Sequence, residues 1–283
     1  MSIELAKKYA PYTDELFKAE SKLSLLTNSD FDWTGAHSVS VWKISTVAMN
    51  DYSRNRGGDF SETEATLSRF GKIIDLDAQT EEMLLRKDRS FIFNIDKMDQ
   101  DETAEQVKAE TALARQIREV VIPEVDTYVY AEMAANAGTI AEAEALDGTN
   151  IYDAIVAGTE VLDDAEVPDT ERVLVVTPAT YRIMKKSEDI LMDCDISEEM
   201  RLKGVIAVVD GMAVVKVPAS RMPEGFGFMI AHPAATVAPV KLEDYGMHPD
   251  TALSSGTIVT GRIVYDAFVL DNKAQAIYYH PIA

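Results

Sequence analysis

The chain has 283 residues, with Lys+Arg 27 against Asp+Glu 48 and a formal net charge of -21 at pH 7. Hydrophobic residues at 47% and charged residues at 27% exclude extended disorder, and the length is enough for about two cores. Lys and Arg are scattered without a basic tract, which excludes a dedicated phosphate grip on nucleic acid.

Cys194 is the single cysteine, so neither an intrachain disulfide nor a cysteine zinc cluster is expected, and a small buried hydrophobe is its expected role. The first residues, through Pro11, carry no apolar core of a signal peptide. No run of about 18 apolar residues exists, so no membrane span is expected.

Residues 4–26 read as a thin, weakly amphipathic arm built on Leu5, Leu16, Phe17, Leu23, Leu25 and Leu26, interrupted by Pro11. Such an arm has too few apolar residues for a core of its own and must pack on something else. From Ala36 to Thr46, Val39, Val41 and Ile44 alternate with Ser38, Ser40, Lys43 and Ser45, a strand pattern. A turn-rich stretch, Asn50 to Phe60, precedes a second extended run from Leu67 to Asp77. Residues 36–78 therefore predict a long hairpin with its tip at Gly57-Gly58. A two-stranded projection is marginal alone and should gain stability from a partner.

Phe91–Ile95 reads as a buried strand, and Thr103 with Gln106 forms a capping box behind a run of acids. The helix that follows is expected to run toward Gly138, about 50 Å if unbroken. Leu113, Ile117, Val120, Val121, Val125, Tyr128 and Val129 supply its apolar stripe, and Pro123 predicts a kink or two abutting helices near Ile122. A second helix is expected over 150–166, capped by Asn150 or Thr149. A buried strand at Val173–Val176 then leads into a helix opened by Pro178. Val205–Val209 and Met212–Val217 are strands joined by the tight-turn pair Asp210-Gly211, and Phe226–Ile230 is another. Gly256–Ile282 is β-rich, with a turn at Asn272-Lys273.

Chemistry-bearing motifs are scarce. Asp99, Asp101, Thr103 and Glu110 have calcium-loop spacing, but Ala104 stands where the sharp turn needs Gly, and a helix start explains the same residues. His37, His232, His248 and His280 form no metal-ligand spacing, and three of them precede proline. Gly225-Phe-Gly-Phe lacks the third glycine of a dinucleotide loop, and no nucleophile elbow or phosphate loop occurs. The acids Asp163, Asp164, Glu166, Asp169 and Glu171 read as a solvated connection. No catalytic, cofactor-binding or metal-binding residue is therefore expected. Arg54 and Arg56, beside Gly57 and Gly58, place a cationic tip on an acidic chain. They are the candidate assembly interface, docking on an acidic neighbour.

The order of parts resembles the major capsid proteins of tailed bacteriophages and prophages. The closest likeness is Asp88-Arg-Ser-Phe-Ile-Phe-Asn-Ile-Asp-Lys-Met-Asp-Gln-Asp-Glu-Thr, followed by the stretch from Ala114 through Pro123-Glu-Val-Asp to Tyr128, which looks like capsid proteins of phages of Gram-positive hosts. Val173-Leu-Val-Val-Thr-Pro-Ala-Thr-Tyr is similar to the strand and helix of their A-domain. The resemblance implies an α+β fold with an N-terminal arm (1–35), an E-loop hairpin and its base (36–90), a P-domain with a spine helix (91–148), an A-domain (149–231) and a β-rich return (232–283). It implies a structural, non-enzymatic protein that assembles with itself into pentamers, hexamers and an icosahedral shell. Scaffolding and portal proteins are the implied partners, and double-stranded DNA is enclosed without sequence-specific binding. The implied location is the virion, assembled in the host bacterial cytoplasm, and an acidic inner wall would limit sticking to packaged DNA. Some members cross-link through a lysine and an asparagine; Lys43, Lys72 and Asn272 align with no such motif. An encapsulin-type compartment shell and an enzyme of unrecognised type are the alternatives.

Overall fold

The computed structural model describes residues 20–28, 38–44, 46–49, 51–52, 70, 75, 78–98, 109–187, 205–249 and 255–283. Two compact units emerge, one of residues 35–84 and one of residues 1–34 with 85–283.

In the smaller unit, β1 (Ser38–Ile44) pairs antiparallel with β2 (Ala78–Leu84), from Ser38 opposite Leu84 to Ile44 opposite Ala78. The alternation expected from 36 to 46 is a strand over Ser38–Ile44. The run Leu67–Asp77 lies almost wholly outside the described residues, and the return strand that pairs is β2. Its Gln79-Thr-Glu-Glu centre has no apolar period to announce it. A diagonal cross-strand ion pair, Lys43 Nζ to Glu81 Oε2 at 3.0 Å, adds to the ladder.

The larger unit is built on a six-stranded mixed sheet of order β4-β13-β8-β5-β7-β6. These strands are β4 (Thr139–Ile140), β5 (Val173–Val176), β6 (Val205–Val209), β7 (Met212–Lys216), β8 (Phe226–Ala231) and β13 (Ile277–Pro281). Successive side chains on a strand face opposite ways, and both faces here are covered. Val173, Val175, Met229, Ala231, Ile277 and Tyr279 enter one core cluster with Val129, Tyr130 and Met133 of a long helix. Leu174, Val176, Phe228, Ile230 and Tyr278 enter the other, with Ile151, Ile155 and Leu162 of α3 (Ile151–Asp164) and Met184 of α4 (Pro178–Met184). That two-sided burial explains why Val173–Val176 is continuously apolar.

Local signals place the connections. Asp210 (φ 49°) and Gly211 (φ 74°) both take the left-handed conformation that a two-residue hairpin turn needs. Thr177 caps α4, its hydroxyl oxygen accepting from the Thr180 amide at 3.2 Å, with Pro178 in the first turn. The cap of α3 differs from expectation, because Asn150 makes no side-chain cap bond to the helix. Its Oδ1 accepts instead from the Asp147 amide (2.8 Å), while Asp147 Oδ1 accepts from the Thr149 and Asn150 amides.

The acidic connection at 163–171 is more than a solvated loop. Arg172 is buried behind it, donating from Nε to the Pro168 carbonyl (2.8 Å) and pairing with Asp163 (2.7 Å).

The long helix comprises α1 (Ala109–Gln116), a π-helical segment (Ile117–Val121) and α2 (Ile122–Ala135). At 8, 5 and 14 residues the described rod is about 40 Å long. Thr103 and Gln106 lie outside the described residues. Pro123 neither ends the helix nor splits it. The widened turn just before it closes with the Ile122 amide donating to the Ile117 carbonyl, five residues back, and the dihedrals at Gln116, Val121 and Ile122 stay right-handed helical. A proline lacks an amide and crowds the carbonyl four residues back. A π turn relieves both within a continuous rod.

Alongside lies an antiparallel sheet of order β10-β11-β3: β10 (Val240–Pro249), β11 (Gly256–Tyr265) and β3 (Lys87–Asp96). The expected buried strand at Phe91–Ile95 is corrected here. It belongs to edge strand β3, where Ile95 is buried while Ile92 is 70% exposed. An edge strand covered on one face buries only alternate side chains. Lys241, Glu243, Asp244 and His248 mask the strand period of β10 in the sequence. Asn272-Lys273 lies in a 3₁₀ turn, Asp271–Ala276, leading into β13.

Candidate assembly interface

Arg54, Arg56, Gly57 and Gly58 lie outside the described residues, as do Lys72, Asp99, Asp101 and Cys194. What is described of the 35–84 unit is rich in exposed apolar side chains: Trp42 is 68% exposed, Met49 100% and Phe70 77%. Tyr52 and Phe70 meet edge to face at 5.1 Å, yet both remain exposed. Among the described residues, the two antiparallel strands have no second layer to cover such groups.

The larger unit carries a groove of about 190 Å³ between its long helix and the β3–β11 pair, lined by Phe91, Val120, Val121, Glu124, Ile263 and Tyr265 among others. The π turn lies beside it, and Val120 is 46% exposed. Arg89 Nε donates to Glu124 Oε1 at 2.7 Å, and the Tyr265 hydroxyl donates to the same oxygen at 3.3 Å. Burial, reinforced by the Glu124 carboxylate, pushes the Tyr265 phenol up to about 12. Across β3 and β11, Arg262 forks onto both oxygens of Asp88 at 2.9 and 2.6 Å. The Arg89–Glu124–Tyr265 contacts clamp the helix to the sheet, and Arg262–Asp88 ties β11 to β3.

On the opposite side of α2, Asp126 is 1% exposed and Arg221 4%. Arg221 donates to Asp126 Oδ2 at 2.6 Å, and the Ser21 hydroxyl donates to Oδ1 at 2.7 Å. Arg221 also reaches the Glu20 carbonyl (3.3 Å), Leu26 is fully buried in the core beside α2, and the Asn28 amide bonds to the Thr236 carbonyl at 2.7 Å. Residues 20–28 are therefore fastened to their own chain. Burial pushes the Asp126 carboxyl up, while Ser21 and Arg221 pull it back part-way. The sequence held one signal for this pair: an acid at 126 amid the apolar stripe of Val125, Tyr128 and Val129.

The three described histidines make local contacts, and His37 lies outside the described residues. His232 Nδ1 accepts from the Ala234 amide (3.2 Å), and burial lowers its pKa. His248 meets Thr260 Oγ1 at 3.2 Å, and buried His280 stacks on Phe228 at 5.0 Å between centroids. Among the described residues, no group of three or more His, Cys, Asp and Glu is placed to hold a metal ion, and no helix is long and apolar enough to cross a membrane.

No protein-family model matches the sequence, and no curated protein sequence matches it. Solved structures do. A chain from Mycobacterium phage Che8 superposes with a TM-score of 0.73 at 16% identity, covering 98% of this chain and 96% of that one. A chain from the capsid of the Cyanophage P-SCSP1u gives 0.73 at 15%, covering 98% and 93%. One from the mature capsid of bacteriophage PhiM1 gives 0.70 at 13%, covering 99% and 92%. The fold is the phage major capsid fold. A capsid chain of a native GTA particle shares it, with a TM-score of 0.64. The capsid-fold resemblance read from residues 88–128 and 173–181 thus holds at the level of fold, as does the α+β class.

Proposed function

We propose that this chain is a major capsid protein that assembles with itself into pentamers, hexamers and an icosahedral shell around phage DNA. The observation that carries the reading is the coverage of the fold match: 98–99% of this chain and more than nine-tenths of each capsid chain.

The parts then take their roles: residues 1–35 as the arm, 36–90 as the E-loop and its base, 91–148 as the P-domain, 149–231 as the A-domain and 232–283 as the return. The exposed Trp42, Met49 and Phe70 support burial of the hairpin against a neighbouring copy. Arg54, Arg56, Gly57 and Gly58 are its docking tip, steered by the acidic surface of that neighbour. Closed symmetry repeats each modest contact many times over, which sums to a stable shell. Scaffolding and portal proteins are the further partners, the virion is the site of residence, host cytoplasm is the site of assembly, and the chain performs no catalysis. The phage neighbours favour this reading over a compartment shell holding enzymes.

Expression of the full chain, alone and with its neighbouring phage genes, followed by electron microscopy tests the reading. Closed hollow shells of uniform size are expected. A chain that stays monomeric under both conditions would refute it.

A further inference from the structure

Asp266 is 2% exposed, and its carboxylate takes donors from three places. The Arg86 amide donates to Oδ2 at 2.8 Å, while the Tyr128 hydroxyl and the Ala267 amide donate to Oδ1 at 2.7 and 2.8 Å. Arg86 is the second residue after the smaller unit ends at Leu84, and Leu85 between them is buried. Tyr128 is itself held: its ring meets Tyr265 edge to face at 5.7 Å, and the Lys87 ammonium lies 4.6 Å above it. Burial and the Asp266 carboxylate raise the Tyr128 pKa, so its hydroxyl keeps its proton and remains a donor.

Burying a carboxylate is costly unless its lone pairs are met. An apolar residue would fill the space more cheaply, but it could not hold a backbone amide that precedes the β3 ladder. We infer that Asp266 and Tyr128 are positioning residues that pin the chain where the hairpin leaves the larger unit, and so present the hairpin to a neighbouring copy. This role rests on the capsid reading above; the pin itself does not. Tyr128 belongs to α2, the helix whose other side holds residues 20–28 through Asp126. One helix therefore holds both residues 20–28 and the point where the chain leaves the smaller unit.

The test is hydrogen exchange on the full chain in its unassembled form, paired with electron microscopy of particles. Tyr128→Phe removes a single hydroxyl. It should raise exchange at the Arg86 amide about 5-fold, the loss of one hydrogen bond, while core amides of β5 and β8 stay unchanged. Closed shells should become fewer and misshapen. Asp266→Asn, which keeps an acceptor oxygen, should restore more of both readouts than Asp266→Ala. Unchanged Arg86 exchange in Tyr128→Phe would remove the pin. Raised exchange with normal particles would remove the positioning role. If the wild-type chain forms no particles, the capsid reading falls, and Arg86 exchange still decides the pin.

Discussion

Replacing Arg221 with Met tests the buried pair that ties residues 20–28 to the core. The substitution keeps a long side chain but removes the charge, leaving Asp126 1% exposed with the Ser21 hydroxyl as its remaining strong donor. An unpaired buried charge costs about 3–5 kcal/mol. Asp126 has an escape, however, because it can take up a proton. Protonating a carboxyl of ordinary pKa near ~3.9 at pH 7 costs about 4 kcal/mol, since each unit is worth ~1.4 kcal/mol. The destabilisation is therefore capped at about 4 kcal/mol at pH 7 and falls to about 1.5 kcal/mol at pH 5. The sign follows from linkage: burial already holds this carboxyl above its ordinary value in the wild type, and losing the Arg221 charge that lowers it raises it further in the variant. The folded state then binds more protons, and acid narrows the gap to wild type.

Asp126→Asn, by contrast, takes the carboxylate away from a guanidinium that cannot deprotonate, so its cost should vary less over the same range. The double variant, with neither charge, should recover most of the loss. Urea unfolding of dilute, unassembled protein at pH 5 and pH 7 measures all four. An equal loss for Arg221→Met at both pH values would refute an uncompensated carboxylate as the cause.

Three further outcomes are expected. Gly261 lies between Phe91 and Tyr245 in register, and a Cβ there would come within 2.3 Å of the Phe91 ring. Gly261→Ala should cost about 1–3 kcal/mol in thermal or urea unfolding, and pairing it with Phe91→Ala should cost less than the sum of the two. Asp147 is held below the usual carboxylate range, first by the Thr149 hydroxyl and then by the Thr149 and Asn150 amides. Its stabilising contribution is present above the ordinary value near pH ~4 and is lost as pH falls through the lower folded value. Asp147→Asn should thus be less stable than wild type at pH 6 and converge with it in acid titrations. Charge reversal at Arg54 and Arg56 together should impair particle formation in electron microscopy while leaving monomer unfolding unchanged; normal particles would remove the docking role.

Much of the larger unit was legible because local rules and tertiary placement agree there. Val173–Val176 is apolar at every position because both its faces are covered, Asp210-Gly211 takes the left-handed turn that its dipeptide favours, and Pro178 opens a helix capped by Thr177. The likeness to capsid proteins was legible, at the level of fold, in residues 88–128 and 173–181. Where the reading failed, neighbours decided. Phe91–Ile95 is an edge strand because β11 alone pairs with it, and it is half-buried because one of its faces meets the helix, while β2 and β10 formed from polar stretches because β1 and β11 offered them ladders.

By itself, then, the sequence determined the acidic character of the chain, the core strands, the tight turn at Asp210-Gly211 and the presence of a long helix. Tertiary structure alone decided that the helix passes Pro123 through a π turn rather than breaking. It alone brought Asp126 to Arg221 across 95 residues, and Asp266 to Tyr128 across 138. The reason is physical. Period and turn chemistry are written into neighbouring residues, whereas a buried charge reveals its purpose only when the fold delivers its partner.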